Sequence, residues 1–297
     1  MSSENLPVKN GVVRRVSLIK GVGGLIKAEV DAVASRAEIY LHGAHVTQFQ
    51  RRGEPPLLFL SQLSRFERGV PIRGGIPIIF PWFGPREGKP AHGFARTSEW
   101  TLVEPPPGSD SAIKLKFRLA DTAGTSDTAP FVAEYEVEVG ATLGLSLSII
   151  NLSEHQVFTF EACLHTYFHI GDVHTVSVSG LHGCEYLDKC DNQARKRDTD
   201  DKIIITRETD RTYLNTGNLV EIIDPTLGRR IQIDTTGANS TVVWNPWIAK
   251  SQAMPDFGDD EYLRMICVES GNVADNRVTL PPGQTSTLRA VISTVRI

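Results

Sequence analysis

The sequence predicts an all-β chain, folded as one large, mostly antiparallel β-sandwich. Three observations carry this. Apolar and polar residues alternate with a period of two in run after run, which marks strands with one buried and one wet face. Turn signals rich in Gly, Pro, Asp and Asn separate many of those runs. Helical periodicity is scarce, whereas a parallel βαβ fold needs a helix between successive strands.

Taken in chain order, short β-prone runs near 37–41 and 45–50 open the pattern, and 61–68 (SQLSRFER) could make two helical turns. The clearest alternation follows. In 113–119, Ile113, Leu115, Phe117 and Leu119 alternate with Lys114, Lys116 and Arg118, and in 134–139 Tyr135, Val137 and Val139 alternate with glutamates. The runs 145–151 and 229–234 continue it, and further strands are expected near 157–169, 174–179, 203–206, 241–244, 263–269 and 286–295. The segments 105–110 and 122–130 read as exposed hairpin connections, because the strand pattern continues on both sides of each. GVGGLI at 21–26 lacks the last glycine of a dinucleotide loop, and no long helix follows it.

A chain of 297 residues with 40 % hydrophobic content can fill a sizeable core, so general disorder is excluded and a single domain over 1–297 is expected. Lys+Arg 31 against Asp+Glu 35 gives a net charge of −4, with no broad cationic field for nucleic acid. No apolar run reaches the roughly 18 residues of a membrane span. The polar start, MSSENLPVKNGVV, has no signal-peptide core, and Cys163, Cys184, Cys190 and Cys267 form neither a CxxC pair nor a zinc spacing. The expectation is a cytoplasmic monomer without cofactor or metal.

Three segments could carry chemistry. The first is 71–96, PIRGGIPIIFPWFGPREGKPAHGFAR, whose repeated Pro and Gly impose a fixed, irregular path on residues too apolar to sit in water. With Arg73, His92 and Arg96 it can wall an anionic site, since the guanidinium fork matches phosphate or carboxylate; pairing with surface carboxylates is the alternative. The second is 157–169, VFTFEACLHTYFH. One face reads Phe158, Phe160, Ala162, Leu164, Phe168 and the other Thr159, Glu161, Cys163, His165, Tyr167, His169, which suits the floor of a polar cleft or merely a wet face. On a strand, His165 and His169 stand about 13 Å apart, too far to share one ion. The third is LRMICVE at 263–269, where burial can raise the Glu269 pKa toward that of a general base, although a strand-end glutamate is more often simply solvated. Trp244 and Trp247 flank an expected turn, as core residues or as stacking faces for a sugar, and Asp210 lies in ETDRTY, either an ordinary solvated turn or one whose carboxylate accepts bonds from sugar hydroxyls.

PIRGGIPIIFPWFG, HGFAR, LHTYF, ETD, VVWNPW and ICVE occur in that order along the chain. The combination resembles the hexose-6-phosphate mutarotases (glucose-6-phosphate 1-epimerases), a branch of the aldose 1-epimerase family, from LHGAHVTQF at 41–49 to the last strand. The resemblance implies a galactose-mutarotase-like supersandwich. It places the catalytic histidine on His165, the catalytic glutamate on Glu269, substrate-contacting arginines on Arg73 and Arg96, and the hydroxyl-holding aspartate on Asp210. It also places a second active-site histidine on His92, next to Ala91 where several relatives carry Gln.

The implied substrate is a small hexose phosphate. Anomer exchange needs a proton taken from the C1 hydroxyl and one given to the ring oxygen; the ring opens, C1–C2 rotates, and the ring recloses. Glu269 is the expected base at O1 and protonated His165 the acid at O5, with roles reversed on closure. The competing expectations are a noncatalytic carbohydrate-binding sandwich, a mutarotase for unphosphorylated aldoses, and a cupin-like metal isomerase.

Overall fold

A computed structural model describes residues 15–103, 111–121 and 128–297. The alternating runs became strands, all joined antiparallel. A nine-stranded sheet runs in the order Lys202–Ile204, Ser177–Ser179, Leu219–Asp224, Arg229–Thr236, Thr285–Arg296, Leu143–Asn151, Phe131–Val139, Ile113–Asp121, Thr101–Val103. An eight-stranded sheet runs Ala194–Arg197, Glu185–Asp188, Thr209–Leu214, Ser240–Asn245, Met265–Asn272, Ala162–Leu164, Ile78–Ile79, and Tyr167–His169 also pairs with Met265–Asn272. A four-stranded sheet precedes them, made from Arg15–Lys20, Ile26–Asp31, Ser35–Tyr40 and His45–Arg51. The loops expected at 105–110 and 122–130 fall mostly outside the described residues, but the strands they connect are antiparallel neighbours.

The two large sheets pack through their apolar faces into one core, Leu145, Ile231 and Ile292 from one meeting Phe168, Val243, Ile266 and Val268 from the other. Alternation then turns Cys267 and Glu269 to the opposite face of the strand Met265–Asn272. That second face is also shut from water, and every residue of this strand is buried. The Pro/Gly segment 71–96 supplies this sheet's edge strand Ile78–Ile79 and then brings the His92 ring against that face. It is tied down by backbone bonds from His165 N–H to the Pro77 carbonyl and from Glu161 N–H to the Pro81 carbonyl, each 3.0 Å. Its path depends on glycine where the chain crosses another backbone: at Gly93 (φ 72°) a Cβ would come within 2.0 Å of the Phe80 carbonyl oxygen.

Four local expectations are corrected. Residues 61–68 form isolated turns rather than a helix, because tertiary contacts hold the segment: the Ser64 hydroxyl accepts from the Arg73 N–H and Phe66 packs on Tyr40. The α-helix is instead Trp247–Ala253, where a turn was expected; the Asn245 side chain accepts from the Trp247 N–H at its start. The run 157–169 divides into three short strands, Phe158–Phe160, Ala162–Leu164 and Tyr167–His169, the first of which leaves to pair with Val278–Leu280. Asp210 lies within the strand Thr209–Leu214, not in a turn. GVGGLI forms a hairpin connection with a 3₁₀ turn at Val22–Gly24.

Candidate active site

The interruption between Ala162–Leu164 and Tyr167–His169 leaves the register intact. Leu164 is opposite Ser270 and Tyr167 opposite Cys267, so His165 falls opposite Glu269. Cross-strand neighbours on one face meet through their side chains. Nε2 of His165 accordingly lies 3.3 Å from Oε1 of Glu269, with the glutamate side chain 1 % exposed. Cys163, His165 and Tyr167 share the face expected of them, and all three are buried.

Neighbouring strands extend this row. Tyr167 is opposite Cys267, Cys267 opposite Trp244, and Trp244 opposite Asp210, so the four side chains cross the sheet in line. The Tyr167 ring stacks on the His165 imidazole at 4.8 Å, and the Trp244 edge meets both rings. Charged groups mark the two ends. At one, Arg73 donates through Nη1 to the Tyr167 hydroxyl (3.1 Å) and through Nε to Asp256 (3.2 Å). At the other, Lys189 Nζ lies 3.1 Å from Asp210 and 4.4 Å above the Phe83 ring.

The remaining expected residues come from the Pro/Gly segment. His92 adopts a left-handed backbone (φ 65°), packs its ring 5.8 Å from His165, and accepts from the Gly84 N–H at Nδ1 (3.3 Å). Arg96 donates through Nη2 to the Ala91 carbonyl at 2.7 Å, while its Nε is buried without a partner. The structure therefore gathers all six expected residues, but separates the arginines by state. Arg73 is ion-paired; among the described residues Arg96 has no carboxylate partner.

Burial dominates the proton chemistry. It pushes the His165 pKa far down, assisted by the positive charges of Arg96, Arg73 and Lys189, and pushes the Glu269 pKa far up. Both shifts favour neutral imidazole and carboxylic acid when no substrate anion is present. That differs from the expected imidazolium and carboxylate by moving one proton within the pair. His92 is likewise held neutral, its pKa pushed down to about 3 by burial and then by Arg96. The Arg96 pKa is lowered to about 10 by burial, and it stays charged at neutral pH.

Sequence reasoning missed Lys189, Asp256 and the positioning role of Tyr167. No spacing singled out the first two, which sit among ordinary surface charges in LDKCDN and MPDFGD. A metal-like grouping also appears: donor atoms of His165, Cys267 and Glu269 lie within 4.8 Å of one another. It does not use His169, and burial next to Glu269 pushes the Cys267 thiol pKa up.

The aldose 1-epimerase family model matches residues 29–293. The chain belongs to the aldose 1-epimerase family. It is 34 % identical over 288 residues to a Cenchrus ciliaris protein provisionally named glucose-6-phosphate 1-epimerase, covering 94 % of this chain and 87 % of the relative. An Escherichia coli K12 protein with the same provisional name is 37 % identical over 252 residues, covering 84 % and 83 %. Among solved structures, a provisionally assigned mutarotase from Salmonella typhimurium superposes with a TM-score of 0.86 at 32 % identity, covering 99 % of this chain and 97 % of that one. The large antiparallel β-sandwich expected from the periodicity, and the supersandwich implied by the resemblance, are thus the family's fold. Among the described residues no helix is long and apolar enough to cross a membrane.

Proposed function

We propose that the protein, acting as a monomer in the cytoplasm, interconverts the α and β anomers of a hexose 6-phosphate, glucose 6-phosphate first among them. The reading rests chiefly on the 3.3 Å approach of His165 Nε2 to Glu269 Oε1. O1 and O5 of a pyranose are bonded to the same carbon, so the acid and base that serve them must be near neighbours. A cross-strand pair meets that need.

The chemistry follows from the pair. The substrate phosphate lies near Arg96 and Arg73 and offsets the positive charge that adds to burial in depressing His165, which favours moving the shared proton to the imidazole. Glu269 then takes the O1 proton while His165 gives one to O5, and the ring opens to the aldehyde. Rotation about C1–C2 exposes the other carbonyl face, and the reverse transfers close the ring. Buried, positioned acid and base groups of this type contribute about 10² to 10⁴-fold each. No electron transfer is required.

The charged ends of the row orient the sugar. Four adjacent strands span about 14 Å, room for a pyranose with its phosphate arm. Arg96, the cation without a carboxylate partner, supports placing the phosphate at the Tyr167 end. Asp210 and Lys189 then accept from and donate to the hydroxyls far from the phosphate. A single functional domain is supported by a pocket that draws residues from Arg73 to Glu269 and by a family match over 29–293. All four cysteines are free thiols, in keeping with a reducing compartment.

The test is anomer exchange measured by NMR saturation transfer on glucose 6-phosphate and on glucose at equal concentration. Fast exchange of the phosphate ester alone is expected. Equal exchange of both sugars would make this an aldose mutarotase and remove the arginines from substrate selection. Binding without exchange would make it a noncatalytic carbohydrate-binding protein.

A further inference from the structure

A carboxylate that works as a base in a dry pocket must be aimed, and it must be able to lose its proton. Among the described residues, Glu269 has two polar side-chain contacts: Oε1 faces His165, and Oε2 lies 3.6 Å from the Cys163 thiol, which is placed to donate to it. Cys163 is 0 % exposed, so no water competes for this contact. The geometry behind it is specific. Cys163 lies two residues before His165 on the same face, and its cross-strand partner is Gly271, two residues after Glu269. A Cβ at Gly271 would come within 2.8 Å of the Cys163 Cβ and 2.9 Å of its Sγ. The missing side chain at 271 is the space in which the thiol lies.

We infer that Cys163 is a positioning residue for Glu269: seated over Gly271, its S–H donates to Oε2 and fixes the carboxylate with its other oxygen toward His165. The assignment rests on the anomerase reading for its catalytic consequence, but not for the contact itself. A thiol is a weak donor and is nonpolar enough to be buried at small cost. It holds the carboxylate without lowering its basicity as far as a strong donor would. The contact therefore favours the ionised form modestly, against the burial that favours the protonated one. Ile79, Val242 and Val273 pack with Cys163 in an apolar cluster, so its hydrogen-bonding outlet is the glutamate.

The test compares C163A and C163S with wild type by kcat, KM and pH profile for glucose 6-phosphate. C163A is expected to lower kcat about three- to tenfold, the worth of one modest hydrogen bond, and to leave KM unchanged. It should also shift the acidic limb of the kcat profile to higher pH. C163S restores the donor and should return the limb to the wild-type position or below. A C163A enzyme with wild-type kcat and pH profile, or a C163S enzyme identical to C163A, overturns the assignment. The infrared carboxyl band of Glu269, isolated by subtracting the E269Q spectrum, gives a readout independent of turnover. Its titration midpoint should rise in C163A, and an unmoved midpoint refutes the contact whether or not the sugar reaction occurs. An inactive wild type with a shifted band would refute the anomerase reading alone.

Discussion

The rings of His165 and Tyr167 lie 4.8 Å apart with only 9° between their planes, and the Tyr167 hydroxyl is held by Arg73 at 3.1 Å. The imidazole is thus fixed on one side by an aromatic plane that is itself anchored by an ion-paired guanidinium. Y167F keeps the plane and loses the anchor, so anomerase kcat should fall less than about tenfold, the scale of one hydrogen bond. Y167L loses the stack as well and should fall further, with KM changing less than kcat. Equal, wild-type kcat in both variants would show that the imidazole needs no such support.

Glu269 is kept in an environment that favours its protonated form, because burial raises its pKa. Above the unfolded carboxyl pKa, folding must then hold a proton that the unfolded chain releases, which costs stability at neutral pH. E269Q should raise the thermal midpoint at pH 7.5 and abolish anomer exchange. A lowered midpoint would mean that the carboxylate's contacts outweigh its desolvation.

The two arginines should separate in mutagenesis. R96Q removes the cation without a carboxylate partner, and the KM for glucose 6-phosphate should rise about tenfold or more, as for loss of a charge-assisted bond. R73Q leaves Asp256 without its ion-pair partner, so it should also lower the urea midpoint. Both pair members keep some exposure, 22 % and 14 %, and solvent screening limits the loss to about 1–3 kcal/mol. Exchange of free glucose, if detectable, should respond little to R96Q.

Stability should fall in weak acid. His45 and His92 are buried and neutral, each with its pKa pushed down to about 3. The unfolded chain binds protons at these sites below its ordinary histidine pKa of about 6.5, and the folded chain does not. The contribution is whole above pH 6.5 and is lost progressively as pH falls toward 3. Urea midpoints at pH 7 and pH 4.5 measure it, and H45N should show a shallower decline.

Binding of an anion should protonate His165. Burial depresses its pKa most, with His92, Arg96, Arg73 and Lys189 adding to it, and phosphate near the arginines offsets their share. In ¹⁵N NMR, glucose 6-phosphate should move the His165 signals toward imidazolium at pH 7, and glucose should not. Identical signals with both sugars would exclude substrate-assisted protonation.

Much of this was legible in the sequence, for identifiable reasons. Where a strand has one wet face, as in 113–119, alternation reports it directly. In 157–169 the alternation placed Cys163, His165 and Tyr167 on one face correctly, although hydrogen bonding breaks the run twice. The Pro/Gly segment, LHTYF, ETD and ICVE, taken in that order, named the six expected residues before any geometry was known. Lys189 and Asp256 were invisible because a surface lysine and a pocket lysine look alike until the strands are laid side by side. The helix misplaced at 61–68 shows the converse, since tertiary contacts decide there: Phe66 packs on Tyr40 and the Ser64 hydroxyl is bonded to the Arg73 N–H.

The strand Thr285–Arg296 follows all other described strands in the chain, yet it lies in the interior of the nine-stranded sheet, between Arg229–Thr236 and Leu143–Asn151. During synthesis both of those strands must wait with an unpaired edge until the ribosome has passed residue 296. Such edges invite pairing with other chains. A nascent chain halted near residue 280 would hold every residue of the pocket and still be unable to close the sheet behind it. Premature termination should therefore yield aggregates or chaperone-bound chains rather than a weakened enzyme.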